Sequence, residues 1–216
     1  MPATARPLTA ADIPAAISIL TRAFADDPGL LFVLPDPADR ARLNARLAAA
    51  ALRYTLRCGA PLVTSDDVRG VALWFPPDAS EPTALDFAES GISAVPGLIG
   101  HDAWTRFERL IAHLDALHPL HAPEPHWFLG VLGVDPAWQR QGLGAALMEP
   151  VFAQADQAGV CCYLEAPTAA NARYYVKRGF QVVGETDVPE SDVHIWLMRR
   201  DPVRTNLTPG APRHPR

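Results

Sequence analysis

The chain has 216 residues, enough for one domain, or one domain with an insertion, built on a real core. Hydrophobic residues make up 49% of it and charged residues 20%, which excludes a disordered or fibrous chain. A net charge of −5 with no basic stripe argues against a nucleic-acid partner.

Three cysteines, Cys58, Cys161 and Cys162, are too few and too badly spaced for a disulfide framework, so buried thiols are expected. No signal peptide is recognisable, and no apolar run reaches the ~20 residues that a membrane-spanning helix needs. The expected compartment is the cytoplasm, with no membrane partner. In that reducing setting the sequon Asn206-Leu-Thr208 is read as chance. Lys177 is the only lysine, which fits an arginine-biased genome.

Arg6 to Thr9 reads as a short first strand. Thr9-Ala-Ala-Asp12 is a capping box with Asp in place of Glu, opening a helix through Ile13, Ile17, Leu20 and Phe24. Asp26-Asp27-Pro28-Gly29 stops it. Asp36-Pro37 starts the next helix, with Leu43, Leu47, Ala51 and Tyr54 at helical spacing and Gly59 at its end. Pro61 to Thr64 and Val71 to Phe75 form paired strands around the Ser65-Asp66-Asp67 turn. Trp104, Phe107, Leu110/Ile111, Leu114 and Leu117 then mark a helix with one apolar stripe. His101, His113, His118, His121 and His126 share this region at spacings that match no usual zinc site, and solvated histidines are expected.

Trp127 to Val134 is an apolar strand that ends at Asp135-Pro136, because Pro136 has no N–H to pair. Gln139-Arg140-Gln141-Gly142-Leu143-Gly144 follows and leads into Ala145 and a helix. A strand, a Gly-containing loop and a helix N-terminus present unpaired N–H groups to an anion. Gly142 and Gly144 let a phosphate approach the backbone, and Arg140 adds a charge-assisted contact. Leu143, Leu147, Val151, Phe152 and Ala155 form the buried face of one helix running to Gly159, kinked at Pro150. Val160 to Glu165 is a strand, Thr168 to Arg178 a helix capped by Gly179, Phe180 to Glu185 a strand and Val193 to Arg200 the last strand. Asp201 to Arg216 is Pro-rich and aperiodic and is expected to be a flexible tail.

The loop is no Walker motif, because the chain has no Gly-Lys pair. A dinucleotide fingerprint fails at its third glycine, where Leu147 stands, although Glu165 imitates that fold's ribose-binding carboxylate. Val134-x-Pro136-x-x-Gln139-x-x-Gly142-x-Gly144 instead resembles the acetyl-CoA pyrophosphate loop of the GNAT superfamily of N-acetyltransferases. Asn171-Ala-Arg-Tyr-Tyr175-Val-Lys-Arg-Gly179-Phe180 resembles that superfamily's Asn…Tyr-x-x-x-Gly-Phe segment. The stretch from about Trp127 to Arg200 is similar to the puromycin N-acetyltransferase-like branch.

The resemblance implies an α/β fold, a mixed central sheet of about seven strands flanked by helices. It implies one domain over residues 1–200, from whose usual plan the segment at about 77–125 departs; that segment reads as a helical insertion covering one mouth of the fold, where acceptor selectivity is expected. The function it implies is transfer of acetyl from acetyl-CoA, as co-substrate and without a metal, to a primary amine of a small molecule in a ternary complex. Leu132, Gly133, Val134, Gln139, Arg140, Gln141, Gly142, Leu143, Gly144, Ala145 and Asn171 would hold the coenzyme. A bulge permitted by Gly130 and Gly133 would splay this strand from the Val160–Glu165 strand and admit the pantetheine arm. Tyr175 would protonate the departing sulfur; read without the motif, it is instead a core residue with Tyr174 the polar neighbour. Glu165 is a candidate base, or else a surface partner of Arg173 or Arg140. Asp26, Asp27 and His126 are candidates for the acceptor side, and a homodimer is left open. The rival readings are a non-catalytic acyl-CoA sensor and a dinucleotide-dependent oxidoreductase.

Overall fold

The computed structural model describes residues 3–79 and 83–203. Seven strands form one mixed sheet in the order β1 (Ala5–Pro7), β2 (Ala60–Thr64), β3 (Gly70–Phe75), β4 (Trp127–Val134), β5 (Cys162–Ala166), β7 (His194–Arg200) and β6 (Gln181–Asp187). β4 and β5 pair in parallel, and the other neighbours are antiparallel. Alternation along the strands gives the sheet two apolar faces, each covered by helices.

On the first face, Trp74, Trp127, Leu129, Leu164 and Met198 pack against α8 (Glu149–Ala158) and α9 (Ala169–Val176). Trp74 meets Trp127 and Phe152 edge-on, at ring separations of 6.3 and 6.4 Å, and its indole N–H donates to the Leu147 carbonyl at 3.4 Å. On the second face, Val63, Val71 and Leu73 pack under α1 (Ile13–Ala23) and α3 (Pro37–Cys58). Tyr163, Ile195 and Leu197 of the same face lie under α6 (His101–His121). Between α1 and α6 the chain also forms α2 (Pro28–Val33), α4 (Ala84–Ser90) and α5 (Val95–Ile99).

Several elements differ from the sequence reading for local physical reasons. Asp12 does accept the Thr9 N–H at 2.8 Å, but over a short 3-10 turn, Ala10–Asp12, and it also takes a two-pronged contact from Arg6. α1 already ends at Ala23, and Pro28-Gly29, expected as its stop, starts α2, because the Asp27 carboxylate caps the Leu30 N–H at 3.0 Å. The single helix expected through Pro150 is two: α7 (Leu143–Ala146) stops, and α8 starts with Pro150 in its first turn. There the missing N–H would have had no intrahelical partner, so the proline causes no kink. The tail expected at Asp201–Arg216 lies, beyond Val203, outside the described residues, as does the sequon at Asn206.

Candidate active site

β4 and β5 stay together for three pairs, Trp127 with Cys162, Phe128 with Tyr163 and Leu129 with Leu164. Beyond Leu129 they part. β5 goes on pairing with β7 through Glu165 and Ala166, and β4 goes on pairing with β3 through Val131 to Val134. The side of β4 that faces β5 therefore carries backbone polar groups with no strand partner, an opening into which an extended amide chain can add.

The parting coincides with a bulge. Leu73 pairs with Val131 and Trp74 with Leu129, so Gly130 is the extra residue. Gly133 plays a different part from the one expected. It pairs regularly with Val71, and a Cβ there would fall 2.6 Å from Leu20 Cδ2, so its lack of a side chain lets α1 lie close on β4.

The loop after β4 is anchored before it is exposed. Asp135 caps a 3-10 turn, Pro136–Trp138, through the Ala137 N–H at 3.1 Å, and it pairs with Arg22 of α1. The Arg69 guanidinium lies 3.6 Å over the Trp138 ring. The Gln139 amide donates to the Val134 carbonyl at 3.2 Å. Gln139, Arg140, Gln141 and Gly142 are exposed. Arg140 (φ 61°) and Gly142 (φ 85°) both take left-handed backbone conformations, which costs the arginine about 1 kcal/mol. A Cβ at Gly142 would meet nothing within 4 Å, so the backbone there is open to a ligand.

α9 brings Tyr174 to this loop and sets Tyr175 in the core beside it. A Cβ on Gly144 would overlap the Tyr174 hydroxyl, so Gly144 is the residue that lets Tyr174 reach α7. Arg178 lies over the Tyr174 ring at 3.5 Å and donates to its carbonyl at 2.8 Å. Tyr175 packs into the first-face core against Phe180, with ring centroids 5.7 Å apart, and burial pushes its hydroxyl pKa up. A phenol so placed keeps its proton at neutral pH. Asn171, one turn earlier, is exposed, its backbone N–H held by Thr168 Oγ1 at 3.0 Å.

Glu165 follows the last β4–β5 pair and shares the second face with Tyr163. Burial, and after it the charge of Asp115 on α6, raises its pKa to about 7, against the Tyr163 hydroxyl, which donates to it at 3.4 Å. Its bonding partner is thus Tyr163, and among the described residues it pairs with neither Arg140 nor Arg173. A carboxylate tuned to neutrality is suited to proton abstraction at neutral pH.

The three acceptor-side candidates are separated. Asp27 lines a cavity between the Gly130–Val131 bulge and the helices of the second face. Asp26, next to it, is exposed and does not line that cavity. His126 precedes β4 at the end away from the bulge and shares a 2.7 Å hydrogen bond with His118. The insertion's histidines are not all solvated: His118 stacks on Tyr163 at 4.4 Å, and burial followed by the charge of His126 lowers its pKa to about 4. His113 bonds to Thr186 at 2.8 Å. Among the described residues, no group of three His, Cys, Asp or Glu side chains forms a metal site. No helix among them is long and apolar enough to cross a membrane.

The model of the acetyltransferase (GNAT) family matches residues 72–180, from β3 through the splayed strands, the loop and α9. The chain belongs to that family. The GNAT fold is also that of the solved structures it resembles. One, from Corynebacterium glutamicum and titled as histone acetyltransferase HPA2 and related acetyltransferase, is 24% identical with a TM-score of 0.67, over 96% of this chain and 100% of that one. Arylalkylamine N-acetyltransferase 2 from Aedes aegypti is 17% identical with a TM-score of 0.63, over 92% and 98%. The polyamine N-acetyltransferase of Drosophila melanogaster is 15% identical with a TM-score of 0.58, over 92% and 99%.

As a GNAT acetyltransferase the chain carries three candidate groups that the motifs did not single out. Tyr163 was legible, since it stands two before Glu165 on a strand and so shares its face. Tyr174 was adjacent to the motif tyrosine, but only the position of α9 against Gly144 gives its hydroxyl a place. Asp115 had no sequence signal, because only the packing of α6 on the sheet brings it near Glu165.

Proposed function

We propose that the protein moves an acetyl group from acetyl-CoA to a primary amine of a small molecule by direct transfer in a ternary complex. The observation that carries this reading is the parting of β4 and β5 after Leu129, directly before the exposed loop. We read residues 1–200 as one catalytic domain whose helical insertion, about 77–125, covers the acceptor side.

In this reading the unpaired edge from Leu132 to Val134 binds the amides of the pantetheine arm. The N–H groups from Gln139 to Ala145 receive the diphosphate, with Arg140 beside them and Asn171 on the arm. The coenzyme supplies a thioester carbonyl. Glu165 takes a proton from the acceptor nitrogen, directly or through water, as that nitrogen bonds to the carbonyl carbon. Tyr175 gives its hydroxyl proton to the sulfur as the carbon–sulfur bond breaks, and the two transfers leave an amide and a free thiol. The hydroxyl of Tyr174, set at Gly144, belongs to the binding of the coenzyme rather than to proton transfer.

Two of the fold neighbours are an arylalkylamine and a polyamine N-acetyltransferase, which supports an amine as acceptor. The motif resemblance to the puromycin N-acetyltransferase-like branch concerns the coenzyme half and carries no acceptor with it.

The test is thiol release from acetyl-CoA with a panel of amines, each product identified by mass. A panel-dependent release with an N-acetyl product supports the reading. Tight acetyl-CoA binding with no release favours the sensor reading, and NADH binding in its place favours the oxidoreductase.

A further inference from the structure

The cavity at the bulge has a volume of about 380 Å³, at the small end of ligand pockets. Its floor is Gly130 and Val131, where β4 leaves β5, so whatever fills it abuts the splayed strands. Its walls come from α1, α2, α3, α5 and α6 and are apolar throughout, with Phe24, Trp104 and Phe107 as aromatic surfaces. Trp104 and Phe107 stack on each other at 5.5 Å and present a continuous wall.

Among the described residues one ionisable side chain lines it, Asp27. Among the described residues no cation pairs with this carboxylate; its partners are backbone N–H groups at the start of α2. Gly29 keeps it open to the cavity, since a Cβ there would stand 3.2 Å from Asp27 Oδ1 and 3.4 Å from Leu110 Cδ2.

We infer that this cavity receives the aryl or branched-alkyl part of a monoamine whose single ammonium group is held by the Asp27 carboxylate and passes one proton to it, so that the neutral amine, which loses its second proton to Glu165, is the form that attacks. The inference rests on the acetyl-transfer reading above and names its acceptor class. An apolar cavity of about 150 Å³ suffices for a benzene ring, so this one has room for a ring and a short chain. A half-buried carboxylate without a cation is a costly group that a bound ammonium would neutralise. The same logic turns away diamines and guanidino-amines, whose second cation would be desolvated among apolar walls with no partner. It turns away peptides as well, because the walls offer no partners for their amide groups.

The test is calorimetric titration of the full chain, saturated with CoA, with 2-phenylethylamine and with agmatine. Phenylethylamine is expected to bind at least tenfold more tightly than agmatine, and equal or reversed affinities overturn the inference using the unaltered protein alone. Asp27→Asn keeps a good helix cap for Leu30 and removes the charge. It should weaken phenylethylamine at least tenfold without changing CoA affinity, and unchanged amine binding overturns the role of Asp27. Trp104→Ala should weaken phenylethylamine but not ethylamine, and an equal loss for both overturns the role of the wall. Phenylethylamine that binds as expected yet releases no thiol from acetyl-CoA sinks the transfer reading and leaves the cavity assignment standing.

Discussion

The first face of the sheet and the second are assembled differently. The chain from Trp127 to Phe180 runs through β4, the exposed loop, α7, α8, β5 and α9 almost without leaving the first face. The second face draws α1 from residues 13–23 and α3 from 37–58 onto β2 and β3, and α6 from 101–121 onto β5 and β7, so its cover comes from three separated segments. In the proposed function, backbone geometry from contiguous residues would serve the coenzyme, and side chains from distant segments the acceptor. A motif can record the former; the latter exists only after folding.

Glu165 is where the comparison is most easily broken, since it sits in the contiguous stretch but faces the assembled side. Glu165→Gln should lower kcat/KM by ~10²–10⁴-fold and abolish the acidic limb of the pH profile, with its midpoint near 7 in the unaltered enzyme. Because the charge of Asp115 raises that pKa, Asp115→Asn should move the limb to lower pH. An unmoved limb would separate the insertion from the chemistry.

The two tyrosines sharpen the first-face half. Tyr175→Phe should lower kcat by ~10²-fold with little change in coenzyme affinity. Tyr174→Phe should instead act on the KM for acetyl-CoA. Equal kcat in Tyr175→Phe would remove that residue from the mechanism.

Gly144→Ala forces the Tyr174 hydroxyl aside and should raise the acetyl-CoA KM about tenfold, a loss of about 1.4 kcal/mol. In a Tyr174→Phe background the next ring atom is 3.4 Å from the new Cβ, so the penalty should largely vanish there. Additive effects would show that the two residues do not meet.

The smallest effect concerns stability, and both residues belong to the assembled side. Glu165 has its pKa raised from 4.5 to about 7 in the fold, so its contribution is full below 4.5 and is lost as pH rises through 7. His118 has its pKa lowered from 6.5 to about 4, so its contribution is full above 6.5 and is lost as pH falls through 4. Between pH 4.5 and 6.5 the two oppose each other and the unaltered protein should change little. Thermal melts of Glu165→Gln should then fall on acidification across this window, and those of His118→Phe should rise, each by on the order of 3 kcal/mol at most. A flat profile in both variants would show that neither group is as buried as the packing implies.

Much of the fold could be read before folding was considered. Hydrophobic alternation located the strands around Val71, Trp127, Val160 and Ile195, and Asp36-Pro37 and Gly59 bracketed α3, because strand and helix periods and caps are local properties. The loop from Gln139 to Gly144 was legible for the same reason, whereas the bulge was legible only as what the family resemblance implied, and its place at Gly130 rather than Gly133 came from the strand register. Pro150 misled, since a proline reads alike inside a helix and in its first turn until the preceding turn is seen to end at Ala146.

Other features were decided by tertiary packing. Gly133 serves the approach of α1 rather than the bulge, Asp27 faces a cavity while Asp26 faces solvent, and Asp115 stands near Glu165. The physical reason is one of range. Hydrogen bonding and capping act within a few residues and leave a pattern in the sequence, whereas burial and Coulomb interactions act between whichever side chains the fold brings together. For this chain the sequence alone determined a GNAT acetyltransferase scaffold, and only the packing of α1, α2 and α6 on the sheet gave Glu165 its pKa near 7 and brought the Asp27 carboxylate to the cavity.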